Sequence, residues 1–194
     1  MSSTAIRVAL EPVIDAFEAP GISYHIGGSV ASSAYGIARA TLDVDIVADL
    51  REQHVCDLVG RLQEQYYIDE ERVREAVRQR SSFNAIHLES MLKVDVFVLK
   101  GRSYDQVAFS RARKDTIEES ENPRQFFLAS PEDLILNKLE CYRQGGEVSE
   151  RQWNDVVGVL KVQQQALDFE YLQHWAAELQ LTAPLQRALC ESGL

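Results

Sequence analysis

Two aspartates, Asp43 and Asp45, alternate with aliphatic residues in Leu42-Asp43-Val44-Asp45-Ile46-Val47, and this pair constrains the chain more than any other feature. Alternation is the period of a strand, so both carboxylates point to one face. They lie roughly 6–7 Å apart along it, at a rise of about 3.3 Å per residue. Like charges so placed repel, and a divalent cation between them relieves the repulsion. Hard carboxylate oxygens suit Mg²⁺, which takes one or two of them together with substrate phosphates. Upstream, the apolar run Ile22 to Ile26 ends in Gly27-Gly28-Ser29, and a helix-length segment of small residues follows. Glycines let backbone amides approach a phosphate, and a helix N-terminus favours negative charge. A phosphate cradle beside metal-binding carboxylates reads as a nucleotide site.

A third acid, Asp95, stands in the middle of the apolar run Met91 to Leu99, with Lys93 two residues earlier on the same strand face. A buried carboxylate needs a partner: a metal, a cation or a hydrogen-bond donor. Three aspartates on two neighbouring strands can hold the two metal ions of a phosphoryl-type displacement.

Gly27-Gly28-Ser29, then Asp43-x-Asp45, then a lone strand aspartate at Asp95, resembles the DNA polymerase beta nucleotidyltransferase superfamily. The finer pattern, Gly-Gly-Ser-Val-Ala-Ser-Ser with Gly36, Arg39, Thr41 and the paired aspartates, is similar to AbiEii/AbiGii-type nucleotidyltransferases and their bacterial relatives. The specific part covers about the first hundred residues. The resemblance implies an α/β (α+β) nucleotidyltransferase fold: a small mixed sheet carrying three aspartates, and a C-terminal helical part. It implies that Gly27, Gly28 and Ser29 hold the nucleotide phosphates. Asp43, Asp45 and Asp95 would ligate Mg²⁺, and Asp95 would accept the proton of the attacking hydroxyl. The implied reaction moves a nucleoside monophosphate from an NTP to an acceptor hydroxyl. RNA such as a tRNA end is the favoured acceptor, in a toxin with a protein antitoxin. The alternatives are a small hydroxylated compound of the aminoglycoside type as acceptor, or a silent member that binds a nucleotide or a partner.

Four further positions enter with the resemblance. Arg39 touches the triphosphate or anchors the loop before the first aspartate strand, or it pairs with a nearby acid. Thr41 joins that loop or favours the strand. Lys138 follows a Pro-Glu-Asp-Leu helix start and faces the nucleotide in the related pattern; by its apolar neighbours alone it snorkels to solvent. Asp155, in Arg151-Gln-Trp-Asn-Asp, matches a later acidic motif, although this chain has Asn154 where many relatives carry lysine. Lys138 and Asp155 could form a helix–helix ion pair at the cleft wall.

The chain has 194 residues, 45% of them apolar, enough for a core. It suits a catalytic part over residues 1–129 and a helical part over 130–194 that forms a cleft wall. No run of about 18 apolar residues predicts a membrane span, and no basic-then-apolar leader pattern opens the sequence. Cys56, Cys141 and Cys190 are scattered, which reads as free thiols in a reducing cytoplasm. The net charge of −10 argues against a general nucleic-acid coat. Residues 72–114 nevertheless carry +6, and this basic middle lines a groove or sits on an exposed helix.

The periodicity predicts helices over about 4–17, 28–35, 51–65, 69–79 and 103–110, with Asp69 capping the fourth. Strands are expected at 22–26, 43–48, 66–68, 83–88, 92–99, 113–117 and 125–128, and a solvated acidic loop at 118–121. From Ser130, a good N-cap before Pro131, four helices follow, opened by Ser130, the Ser149-x-x-Gln152 box, Asp168 and Thr182. The scattered histidines suggest no metal set, and His25 reads as a packed residue. Trp153 and Trp175 read as core of the helical part.

Overall fold

A computed structural model describes residues 3–117 and 123–194. In chain order the elements are α1 (Ser3–Glu18), β1 (Tyr24–Ile26), α2 (Gly28–Tyr35), β2 (Asp43–Ala48), α3 (Val55–Leu62), β3 (Tyr66–Tyr67), α4 (Glu70–Gln79), β4 (Ser82–His87), β5 (Lys93–Val98), α5 (Ser103–Ser110), β6 (Arg113–Thr116), β7 (Gln125–Leu128), α6 (Pro131–Gln144), α7 (Glu150–Gln163), α8 (Phe169–Glu178) and α9 (Thr182–Ser192). The acidic loop expected at 118–121 lies outside the described residues.

The strands form one mixed sheet in the order β3-β4-β5-β2-β1-β7-β6. β2 and β5 run parallel at its centre; β1 pairs antiparallel with β2 and parallel with β7. The alternation read from sequence is what the sheet uses. Val44, Ile46 and Ala48 of β2 and Val94, Val96 and Val98 of β5 are buried on one face. They join Leu10, Val13, Ile14 and Phe17 of α1 and Leu58 and Leu62 of α3 in a single apolar cluster. The Tyr66 hydroxyl donates to the Ala9 carbonyl (2.7 Å), which satisfies its polar end inside that core. The opposite face carries the aspartates.

The helical tail docks on the sheet through α2. α2 packs on β2, α6 and α7, and α7 packs on α6 and α9. The α2–α7 approach requires Gly36: a Cβ there would meet the Ser32 carbonyl oxygen at 2.9 Å and the Val159 nitrogen at 3.0 Å. Gly36, just past the end of α2, thus lets α7, and its Asp155, lie close to the loop that leads into β2.

The helix expected from Arg51 begins later. Arg51 is extended, His54 Nδ1 accepts its backbone N–H (3.2 Å), and residues 52–54 make a tight 3₁₀ turn before α3. The predicted caps Asp69, Ser130, Ser149 and Asp168 all accept the expected first-turn amide. No described helix is long and apolar enough to cross a membrane.

Candidate nucleotide and metal site

The register of β2 on β5 sets Asp45 beside Asp95 and Asp43 beside Lys93. Paired residues share a face, so Asp43, Asp45 and Asp95 stand together on the face opposite the core. Burial and the neighbouring Asp43 and Asp95 carboxylates push the Asp45 carboxyl up to about 6. Lys138 and Lys93 oppose that rise.

Each carboxylate has a distinct neighbour. Asp43 Oδ1 accepts from the Thr41 hydroxyl (2.7 Å), and Thr41 in turn contacts the Ser29 hydroxyl (2.7 Å). Because the carboxylate only accepts, Thr41 donates to Asp43 and Ser29 donates to Thr41. Asp95 Oδ2 holds the Lys93 ammonium at 2.7 Å. Asp45 lies against Gly28, where an added Cβ would stand 1.7 Å from its Oδ2. Gly28 also has φ +55, so both the backbone and the space demand glycine. The Gly27 N–H donates to the Asp45 carbonyl (2.8 Å), fixing the turn to the strand. Ala31 N–H to the Gly27 carbonyl (3.2 Å) is the first bond of α2, so the amides of Gly28, Ser29 and Val30 precede the helical ladder beside the aspartates.

Arg39 and Lys138 meet through one acid. Arg39 Nε and Nη2 donate to both oxygens of Asp155 (2.8 and 2.9 Å), and Lys138 Nζ reaches Asp155 Oδ2 at 2.7 Å and Gln152 Oε1 at 3.2 Å. Burial alone would raise the Asp155 carboxyl; Arg39 and Lys138 outweigh it and hold it below the usual carboxylate range. The predicted ion pair between Lys138 and Asp155 is present. The snorkelling alternative is not: the Lys138 side chain is 7% exposed.

The ten predicted positions therefore sort into three groups. Asp43, Asp45 and Asp95 form the centre. Gly27, Gly28, Ser29 and Thr41 form the turn that borders it, with the Ser29 hydroxyl turned inward to Thr41. Arg39, Lys138 and Asp155 form a cationic clamp beside it, with Lys138 and Asp155 buried and Arg39 half-buried. In kind the donor set fits Mg²⁺: hard oxygens on one face, with a central carboxylate destabilised by its neighbours. In arrangement it is open. Among the described residues no group of three His, Cys, Asp or Glu side chains converges to hold an ion, since Asp43 turns to Thr41 and Asp95 to Lys93.

The basic middle is largely consumed by pairing. Arg74 bonds Glu52 and Glu70, Arg78 bonds Glu52, Arg102 bonds Asp105 and Glu140, and Arg111 bonds Glu132. Sequence reasoning missed two features. Asn84 of β4 faces Asp95 across the sheet, a register that alternation cannot supply. Glu132 and Asp133, in the first turn of α6, are buried: Glu132 accepts from Arg111 and from the Asp168 N–H (both 3.0 Å), and Asp133 from Ser130 (2.6 Å) and the Tyr171 hydroxyl (2.7 Å).

No protein-family model and no curated protein sequence matches this chain. Solved structures do. The chain is similar to the antibiotic-resistance factor ANT(2″)-Ia in complex with adenylyl-2″-tobramycin, with TM-score 0.59 at 12% identity over 92% of this chain and 98% of that one. The solution structure of ANT(2″)-Ia gives 0.58 at 11% identity over 98% and 96%. An antigenic nucleotidyltransferase-like protein from Paracoccidioides brasiliensis gives 0.57 at 17% identity over 97% and 94%. The likeness is one of fold: this chain adopts the nucleotidyltransferase fold.

Proposed function

We propose that this chain is an Mg²⁺-dependent nucleotidyltransferase that moves a nucleoside monophosphate from an NTP to an acceptor hydroxyl. The observation that carries the reading is the register that sets Asp95 beside Asp45, with Asp43 on the same face and the Gly27-Gly28-Ser29 turn against them. Residues 1–129 act as the catalytic core and 130–194 as the cleft wall. The first-turn amides of α2 receive the triphosphate. Arg39 and Lys138 neutralise its charge, and Asp155 positions both. Asp43, Asp45 and Asp95 would hold Mg²⁺, which neutralises phosphate charge and orients the reacting groups when bound. The acceptor oxygen bonds to the α-phosphorus, the α–β anhydride bond breaks, pyrophosphate leaves, and the Asp95 carboxylate takes the acceptor's proton.

The AbiEii/AbiGii-like pattern of Gly36, Arg39, Thr41, Lys138 and Asp155 favours RNA as acceptor and a toxin role with an antitoxin partner. A second reading, a small hydroxylated acceptor, draws support from the likeness in fold to the ANT(2″)-Ia complex with adenylyl-2″-tobramycin. Incubation with each α-labelled NTP, Mg²⁺ and either total RNA or tobramycin separates the two. Label on RNA supports the first reading and label on tobramycin the second. Label on neither, with NTP still bound, would leave a silent nucleotide-binding protein. Asp95→Asn should abolish transfer to whichever acceptor is found.

A further inference from the structure

Lys93 is the one cation that stands on the aspartate face itself. It lies two residues before Asp95 on β5, and the register sets it beside Asp43 of β2 as it sets Asp95 beside Asp45. The four side chains therefore make a block, roughly 5 Å apart across the strands and 6–7 Å apart along them. The lysine bonds along its own strand and not across: its ammonium meets Asp95 Oδ2 at 2.7 Å, while Asp43 Oδ1 takes the Thr41 hydroxyl. Asp45 has neither a hydrogen bond nor an ion pair to its carboxylate among the described residues. One ammonium thus stands against three acids. The Asp95 hydrogen bond raises the Lys93 pKa against the effect of burial, and the charges of Asp95, Asp43 and Asp45 add to that rise.

The two partners differ in freedom. The Asp95 side chain is 20% exposed and that of Lys93 44%, so the base reaches in from solvent toward a largely withdrawn acid. A pair with one partner this exposed is weak and exchanges readily. Lys138, the other lysine that acts on Asp45, is buried and bound to Asp155. Lys93 is therefore the cation beside the triad with an open way out. At equal distance a divalent ion attracts each carboxylate twice as strongly as an ammonium does, and it repels an ammonium that remains among its ligands. The Lys93 contact also turns Asp95 away from the other two acids, one reason that no three carboxylates converge in the metal-free protein.

We propose that Lys93 is a built-in counter-ion for the metal-free site: its ammonium occupies the Asp95 oxygen that Mg²⁺ would take, and Mg²⁺ displaces it into solvent. This rests on the reading of Asp43, Asp45 and Asp95 as metal ligands. Lys93 acts through Asp95 and is a positioning residue. It relieves the mutual repulsion of the aspartates while no ion is bound, and it sets the affinity at which an ion enters.

The test uses the full chain and MgCl₂ without nucleotide, so a failure of the transfer reaction has no bearing on it. In calorimetry Lys93→Met, which keeps the length and removes the charge, should bind Mg²⁺ about tenfold more tightly than wild type, and Lys93→Arg should bind it as wild type does. In EDTA Lys93→Met should melt below wild type, and Mg²⁺ should raise its Tm by more than it raises that of wild type. Lysine side-chain NMR follows the displacement directly in the wild-type protein. The Lys93 signal, assigned by its loss in Lys93→Arg, should move to the position of a solvent-exposed lysine as Mg²⁺ saturates the site. An unmoved signal at saturation, or equal or weaker Mg²⁺ binding by Lys93→Met, would overturn the displacement and leave the metal site standing. No Mg²⁺ binding by wild type and Lys93→Met alike would overturn both.

Discussion

Gly28→Ala is the sharpest single probe of the site, because two separate costs converge on one methyl group. At φ +55 a residue with a Cβ loses about 1–2 kcal/mol relative to its ordinary backbone wells. The new methyl would also stand 1.7 Å from Asp45 Oδ2, 2.6 Å from its Cγ and 2.8 Å from its Cβ, so the carboxylate must leave its position. Displacements of this kind in packed surroundings cost about 1–3 kcal/mol. Together the loss is roughly 2–5 kcal/mol, a fall in Tm of roughly 5–15 °C for a chain of this size. A double-mutant cycle separates the two parts. Asp45→Ala removes the oxygen and carbon closest to the methyl but leaves the backbone strain. Gly28→Ala should therefore cost at least about 1 kcal/mol less in the Asp45→Ala background than in wild type. Urea unfolding of the four proteins measures this directly. Strict additivity would mean that Asp45 does not lie against Gly28, and the turn and the carboxylate would then not share a site.

Other expectations follow from the same geometry. His25 is buried against Phe109, its Nδ1 has no partner among the described residues, and burial lowers its pKa to about 4. Since the unfolded chain takes up a proton near 6.5 and the folded one near 4, stability is intact above pH 6.5 and falls as pH drops to 4. The loss is on the order of 3 kcal/mol, and pH-dependent urea melts should show it vanish in His25→Phe. Lys138→Met leaves Asp155 with one cation fewer in a buried setting, so both stability and transfer should drop; a wild-type Tm would mean the pair contributes only position. Asp155→Ala leaves two cations without their shared acid, a change that costs about 3–5 kcal/mol in buried pairs. It also frees Arg39 toward Asp43 and Asp45, the next carboxylates acting on it. Calorimetry should then find weaker Mg²⁺ binding in Asp155→Ala than in Asp155→Ala/Arg39→Gln, and equal affinities would refute the clamp.

What the sequence made legible was local. Alternation placed Asp43 and Asp45 on one face and Lys93 on the face of Asp95, because side-chain direction along a strand depends on nothing outside it. The caps at Asp69, Ser130, Ser149 and Asp168 were readable for the same reason: each bond spans three residues. Which strand pairs with which is decided by tertiary packing, so Asn84 opposite Asp95 stayed hidden. Glu132 and Asp133 were hidden differently. In the first turn of a capped helix, acids suit the dipole whether exposed or buried. Their distant partners show the difference: Arg111, 21 residues before Glu132, the Asp168 N–H, 36 residues after it, and Tyr171, 38 residues after Asp133. The clamp at Asp155 joins both cases. The sequence joined Lys138 to Asp155 as an ion pair but left Arg39 outside it, since Arg39 and Asp155 are 116 residues apart and no local rule joins them. Their union depends on the close α2–α7 contact at Gly36. A glycine that carries no chemistry thus sets the distance between the loop that bears Arg39 and the helix that bears Asp155, and through them the charge that faces the aspartates. The helical tail, by this route, acts on the site through electrostatics as much as through packing.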